Sequence, residues 1–200
     1  MELIPLAEIE ALKDEAMRQA TINADRINAV VDFPKLEAAF NHALSLQIPP
    51  RAKMQRFWEA ADKLCKAITP FTACRNKCSY CCNIAATMTE TEADILGKFV
   101  GRKPKKITQR VDILANIPKY NGVPCPFLKK GRCSVYEVRP LACRIHFNLA
   151  DTPYFCNTDI PPGDSLVPQI NNSEIDKAHF RAFGKEVWAD IRDFFPTRGH

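Results

Sequence analysis

Apolar residues in the first seventy positions recur at helical spacing. Ile9, Leu12, Ala16, Ala20, Ala24, Ile27 and Val31 fall three or four apart and predict one long amphipathic helix. Pro34 interrupts this stripe. Leu36, Ala39, Phe40, Ala43 and Leu44 form a shorter stripe, ended by Pro49 and Pro50. Met54, Phe57, Trp58, Ala61, Leu64, Cys65 and Ile68 predict a third helix that stops before Pro70. None of these helices carries a catalytic pattern. They read as a helical scaffold or as a protein-binding surface.

The pattern changes after residue 70. Thr89-Glu-Thr-Glu92 is a capping box, in which hydroxyl and carboxylate satisfy free backbone donors, and it opens a helix through about Phe99. Ile107, Val111 and Leu114 predict another helix from about Lys105 to Asn116. Residues 121–160 are irregular, broken by Pro124, Pro126, Pro140 and Pro153, and bounded metal ligation would supply the missing core. A short hairpin is expected around Leu128–Cys133 with Gly131 in its turn. Residues 161–172 resemble a linker. Ser173 is expected to cap a final helix carrying Ile175, Ala178, Ala182, Phe183, Val187, Ile191 and Phe194, packed back onto the N-terminal helices. The expected fold is mainly α. A helical region over 1–69 and a linker and helix over 161–200 enclose an irregular, metal-stapled cysteine core over 70–160, with one short β-hairpin.

Composition adds one anomaly. Apolar residues make up 46% and charged residues 26% of the chain, an ordinary globular balance. No apolar run approaches the ~20 residues that span a bilayer. The N-terminal MELIPLAEIEALKDE lacks the basic, apolar and small-residue succession of a secretory leader, so a cytoplasmic location is expected. The anomaly is nine cysteines, an odd number in a chain read as belonging to a reducing compartment.

Their distribution points to metal ligation rather than disulfides. Cys65 lies on the face of the third helix and reads as a small core residue, which accounts for the odd count. The other eight are Cys74, Cys78, Cys81, Cys82, Cys125, Cys133, Cys143 and Cys156. Thiolates suit zinc, iron or an iron–sulfur cluster. The short spacings let one tight loop present several sulfurs, and the distant cysteines close the site. Adjacent side chains of an extended chain point apart, so Cys81 and Cys82 share one metal only on a sharply turned backbone. One of them could instead serve a second centre. The eight thiols thus permit two four-thiolate sites, or one site with cysteines to spare. Only His146 lies near the cluster, and the spacing does not fit a C2H2 finger.

Charge is concentrated in the same region. Between Lys98 and Arg144 there are 12 Lys and Arg against Asp112 and Glu137, a local net of +10, while the remainder of the chain nets −5. Arg75, Lys77, Arg139 and Arg144 stand beside or near cysteines. Such cations stabilise thiolates and the net charge of about −2 on a four-thiolate zinc site. Arg139 and Arg144 are the candidates for that compensation. A solvated basic face or charge compensation outranks a nucleic-acid surface as the reading of this segment.

The motifs together resemble a known family. Cys74-x3-Cys78-x2-Cys81-Cys82, then Cys125-Pro-Phe-Leu, then Gly131-Arg-Cys133-Ser-Val-Tyr-Glu-Val-Arg-Pro140, then Cys143-Arg144, look like the YkgJ-type cysteine-cluster family, a zinc- or iron-chelating CxxCxxCC domain. The resemblance covers about residues 70–160 and implies metal chelation by these cysteines, without a defined reaction. Three residues rather than two separate Cys74 from Cys78. Cys74-x3-Cys78-x-Tyr80-Cys81 also resembles the radical S-adenosylmethionine motif, but the helices before it and the proline-broken segment after it do not suit that fold.

Three readings follow. The first is a zinc- or iron-chelating protein, with an Fe–S cluster as one form of the centre. The second is an Fe–S-dependent redox or transferase enzyme, with an open coordination position beside a pocket. The third is a nucleic-acid-binding zinc protein using the basic 98–144 region.

Overall fold

The computed structural model describes residues 6–75, 78–108 and 111–197. Lys77 and Arg110 lie outside them. The fold is mainly α, with two short antiparallel strand pairs.

Three helices open the chain, α1 (Leu6–Val30), α2 (Phe33–Ser45) and α3 (Pro50–Ile68). Asp32 starts α2 by accepting from the Lys35 N–H at 2.9 Å, and Pro34 fits the first turn, where no intrahelical donor is needed. Helix α3 is the spine of the larger core. Met54, Phe57, Trp58, Ala61, Leu64 and Ile68 are buried along it. Phe40 from α2 meets Phe57 edge-on at 5.5 Å, and Phe183 meets it at 5.8 Å from the C-terminal region. Burying each such ring stabilises the fold by roughly 1.5–3 kcal/mol.

The capping box forms as expected. Thr89 and Glu92 exchange their bonds at the start of α4 (Glu90–Val100), which ends at Gly101 in the left-handed conformation. The buried Glu92 carboxylate also accepts from Trp58 Nε1 at 3.2 Å and from the Leu141 N–H at 2.7 Å. It therefore ties α3 and α4 to α6 (Leu141–Ile145), the short helix that carries Cys143.

The helix expected over Lys105–Asn116 is displaced. Residues 103–108 are non-helical, Ile107 and Val111 pack on a second core, and α5 runs from Ile113 to Tyr120. Asp112 decides the start by accepting from the Leu114 N–H at 3.0 Å. The expected hairpin is present as β2 (Leu128–Lys129) and β3 (Arg132–Cys133). Lys130 and Gly131 both have positive φ, +50° and +70°, the backbone that two-residue hairpin turns require.

The expected single C-terminal helix is two helices with a strand between them. Asn172, rather than Ser173, occupies the cap position, and α7 runs over Ser173–Phe183. After Gly184 the chain forms β4 (Trp188–Asp190) and then α8 (Ile191–Phe194). Strand β4 pairs antiparallel with β1 (Thr87–Thr89), matching Thr87 with Asp190 and Met88 with Ala189. Helix α7 packs on α2 and α3 in the larger core, whereas Ile191, Phe194 and Phe195 join Met88, Leu96 and Phe127 in the second core. No helix among the described residues is long and apolar enough to cross a membrane.

Candidate metal centre

Six stretches of chain bring the cysteines together. Cys74 follows the third helix, anchored by the Ala73 N–H donating to the Asn148 carbonyl at 2.9 Å. Cys81 and Cys82 sit in a 3-10 turn over Tyr80–Asn83. Successive side chains of such a turn are about 120° apart, closer than the opposed directions of an extended strand. Cys125 is joined to that turn by its N–H, which donates to the Cys82 carbonyl at 2.7 Å. Cys133 lies on β3 and Cys143 on α6. Cys156 ends a 3-10 turn over Tyr154–Cys156.

The eight thiols fall into two sets that meet at Cys81. Cys74, Cys78, Cys81 and Cys156 line one cavity of about 350 Å³, together with His146, Asn148, Asn121 and Phe155. Cys156 has Cys74, Cys78 and Cys81 as neighbouring thiols. On the other side, Cys143 has Cys81, Cys125 and Cys133 as its neighbours, against the second core. The adjacent Cys82 thiol is the strongest influence on Cys81. Cys65 takes no part. It packs against the larger core and lies 3.8 Å from Thr69 Oγ1.

Every resolved thiol shift in the cluster runs upward. Burial raises Cys74 and Cys133, pushes Cys125 and Cys156 up to about 11, and holds Cys143 well above the usual range. Cys81 is raised first by the adjacent Cys82 thiol and then by burial. A cation placed among these sulfurs would reverse that preference, because it is the thiolate that binds metal.

Soft sulfur donors in this number fit zinc or iron. Among the described residues, no three His, Cys, Asp or Glu side chains are already drawn into an arrangement that could hold an ion.

The cations near the cluster differ in what they do. Arg139 is the neighbouring positive charge of Cys81 and Cys133, stacks on Tyr136 at 3.8 Å and lies 3.8 Å from Cys65 Sγ. Arg144 is buried and directs its guanidinium to Asp62 at 2.5 Å, to the Arg139 and Glu137 carbonyls, and over Trp58. Arg75 is exposed and bonds the Cys74 carbonyl at 3.1 Å.

Two further groups escaped the sequence reading. Asn148 Nδ2 lies 3.2 Å from Cys156 Sγ. Arg192, on α8, donates to the carbonyl of Cys82 at 3.1 Å and to that of Val123, and pairs with buried Asp190 at 3.0 Å. It is the cation beside Cys125. Only the capping pattern Asp190-Ile-Arg-Asp193 was visible locally, and nothing in it pointed to cysteines more than sixty residues away.

Residues 73–159 match a family model described as "CxxCxxCC: Putative zinc- or iron-chelating domain". That segment, 87 of the chain's 200 residues, is similar to the CxxCxxCC domain. No curated protein and no solved structure matches the chain. The matched segment includes all eight clustered cysteines, with Arg139 and Arg144, and it excludes Cys65 and Arg192.

Proposed function

We propose that this protein is a metal–thiolate protein whose CxxCxxCC domain holds zinc or iron at two neighbouring centres. The observation that carries the reading is the division of the thiols about Cys81, with Cys74, Cys78 and Cys156 on one side and Cys125, Cys133 and Cys143 on the other. Each side has three thiols, and the Cys81–Cys82 turn offers one more to each. The set around Cys143 backs onto the second core and has a stapling role. The set around Cys156 faces the cavity and suits a centre that meets other molecules. An iron–sulfur cluster is one form that this open centre takes within the proposal. Residues 70–160 then act as the chelating unit, held between the helices of 1–69 and the C-terminal segment of 161–200.

Anaerobic purification followed by metal and sulfide analysis and a visible spectrum tests this. Zinc or iron bound in stoichiometric amount is expected, with brown colour and sulfide marking an Fe–S centre. Cys156→Ser and Cys143→Ser should each lose only part of the metal, and the double variant all of it. The reading fails if neither metal is retained and Cys78→Ser leaves thermal stability unchanged.

A further inference from the structure

Helix α5 turns one face inward and leaves apolar side chains outward. Asn116 and Tyr120 are buried, and both bond the Asp193 carboxylate, Asn116 Nδ2 at 3.2 Å. Leu114, Ala115, Ile117 and Pro118 are all exposed, Leu114 at 75% and Ile117 at 58%. Leu114 is the most exposed large apolar side chain among the described residues.

A run of cations lies beside this helix. Residues 102–108 hold Arg102, Lys103, Lys105 and Lys106 and no acidic residue. The run and α5 are fastened to the same short segment, 193–196. The Lys105 N–H donates to the Phe194 carbonyl at 2.7 Å and Arg102 bonds the Pro196 carbonyl, while Asp193 holds α5. Lys103, Lys105 and Lys106 are exposed, and their ammonium groups have no partner among the described residues. Two acidic groups belong to these segments. Asp112 caps α5 through the Leu114 N–H at 3.0 Å, and Asp193 pairs with Lys119 at 3.2 Å. Over 102–120 and 193–196 the sequence has six Lys and Arg against these two.

Together these features select a partner. The excess of cations calls for an anionic one. A lysine ammonium is a point charge without the planar fork of arginine, so it favours a diffuse anionic surface over a fixed pattern of acceptors. The outward side chains of α5 offer hydrocarbon and no aromatic ring. The boundary between lipid headgroups and acyl chains rewards that, whereas nucleic-acid bases reward aromatic stacking. Stable attachment to a bilayer surface takes two signals, and a short apolar insertion beside a polybasic run supplies both.

We propose that this face docks on an anionic lipid bilayer, with Leu114, Ile117 and Pro118 entering the headgroup boundary and Lys103, Lys105 and Lys106 lying over the lipid phosphates. The contact is peripheral and reversible, and it is independent of what the cysteine cluster holds.

Cosedimentation of the full chain with vesicles tests this. Vesicles of equal parts phosphatidylglycerol and phosphatidylcholine should bind the protein, pure phosphatidylcholine vesicles should not, and high salt should release most of it. Each lysine near such a surface contributes about fivefold in affinity, so replacing Lys103, Lys105 and Lys106 together by Gln should weaken binding about a hundredfold. Leu114→Ser combined with Ile117→Ser should weaken it about tenfold and leave the salt dependence in place. Both positions are exposed, and an unchanged thermal midpoint confirms that the variant folds. Leu114→Trp supplies an independent readout. Its emission, less that of the wild type with Trp58 and Trp188, should shift to the blue on anionic vesicles. No binding to anionic vesicles, equal binding to neutral ones, or an unshifted Leu114→Trp emission would overturn the proposal. Binding to DNA that displaces the vesicles, and that depends on the three lysines but not on Leu114 and Ile117, would overturn it in favour of a nucleic-acid surface.

Discussion

The guanidinium of Arg192 donates to the backbone carbonyl of Cys82 at 3.1 Å, across 110 residues of sequence. It also holds the Val123 carbonyl, so one side chain fixes both chain segments that lead to Cys82 and Cys125. Its counterion, Asp190, is 1% exposed and accepts from the Ala86 N–H. Arg192→Gln leaves that carboxylate buried without its cation and should cost about 3–5 kcal/mol of stability. Adding Asp190→Asn should recover part of the loss. Release of metal to a chelator should remain faster than in the wild type in the double variant, because the carbonyls of Cys82 and Val123 have lost their clamp. Urea unfolding and chelator competition on the same samples check both outcomes.

Asp62 has the opposite exposure pattern. Its side chain is half exposed, while its partner Arg144 is 1% exposed. Asp62→Ala removes the carboxylate bonded to the buried guanidinium, a carboxylate that also pairs with Arg139 at 3.4 Å, and leaves Arg144 its carbonyls, the Trp58 ring and the charge of Glu92. Water reaches the site once the carboxylate is gone, so the cost should be smaller than for a fully buried pair, about 1–3 kcal/mol. Equilibrium unfolding measures it. A change below about 0.5 kcal/mol, typical of surface substitutions, would show that Arg144 needs no counterion.

Gly97 sets helix propensity against space. Alanine is ordinarily better than glycine inside a helix by about 1 kcal/mol. A Cβ at position 97, however, would stand 2.7 Å from the Arg102 carbonyl oxygen and 2.8 Å from Pro104 Cδ. Neither the backbone nor the proline ring can swing aside as a flexible side chain does. Gly97→Ala should therefore destabilise the protein by about 1–3 kcal/mol, and thermal unfolding should show a lowered midpoint. A raised midpoint would show that the turn after α4 yields freely.

The residues that the sequence identified most surely are those whose signal is local. Thr89 and Glu92 form the capping box within four positions, and Gly131 needs only its own turn. The cysteine loop belongs with them, since Cys78, Cys81 and Cys82 are gathered by neighbouring backbone. What escaped depends on pairing at a distance. Strand β4 is three residues long, and Phe183, Val187, Ile191 and Phe194 do recur at helical spacing. Pairing with Met88 and burial against Phe127 outweigh that local preference. Arg192 was hidden for the same reason, because its value at the site comes entirely from the fold-back of β4 onto β1. The helix expected from Lys105 was lost to Asp112, whose carboxylate caps the backbone at Leu114 instead.

His179 gives the fold a dependence on pH that can be separated from the cysteines. It is 6% exposed, sits among the rings of Phe57, Phe183 and Trp188, and has no partner for Nε2 among the described residues. Burial holds its pKa below the ordinary value, against the opposing charge of Glu92. The folded state thus disfavours the proton that the unfolded chain accepts near pH 6.5. The sign follows from that difference. Stability is fully present above about pH 6.5 and is lost as pH falls toward the lowered folded pKa, by at most about 1.4 kcal/mol per pH unit. His179→Leu keeps an apolar side chain of similar size and removes the titration. The difference in unfolding free energy between wild type and His179→Leu should be flat from pH 8 to about 6.5 and then shift in favour of the variant down to about pH 5. Urea titrations at each pH read this directly. Parallel curves for the two proteins across the acid range would mean that His179 accepts its proton in place.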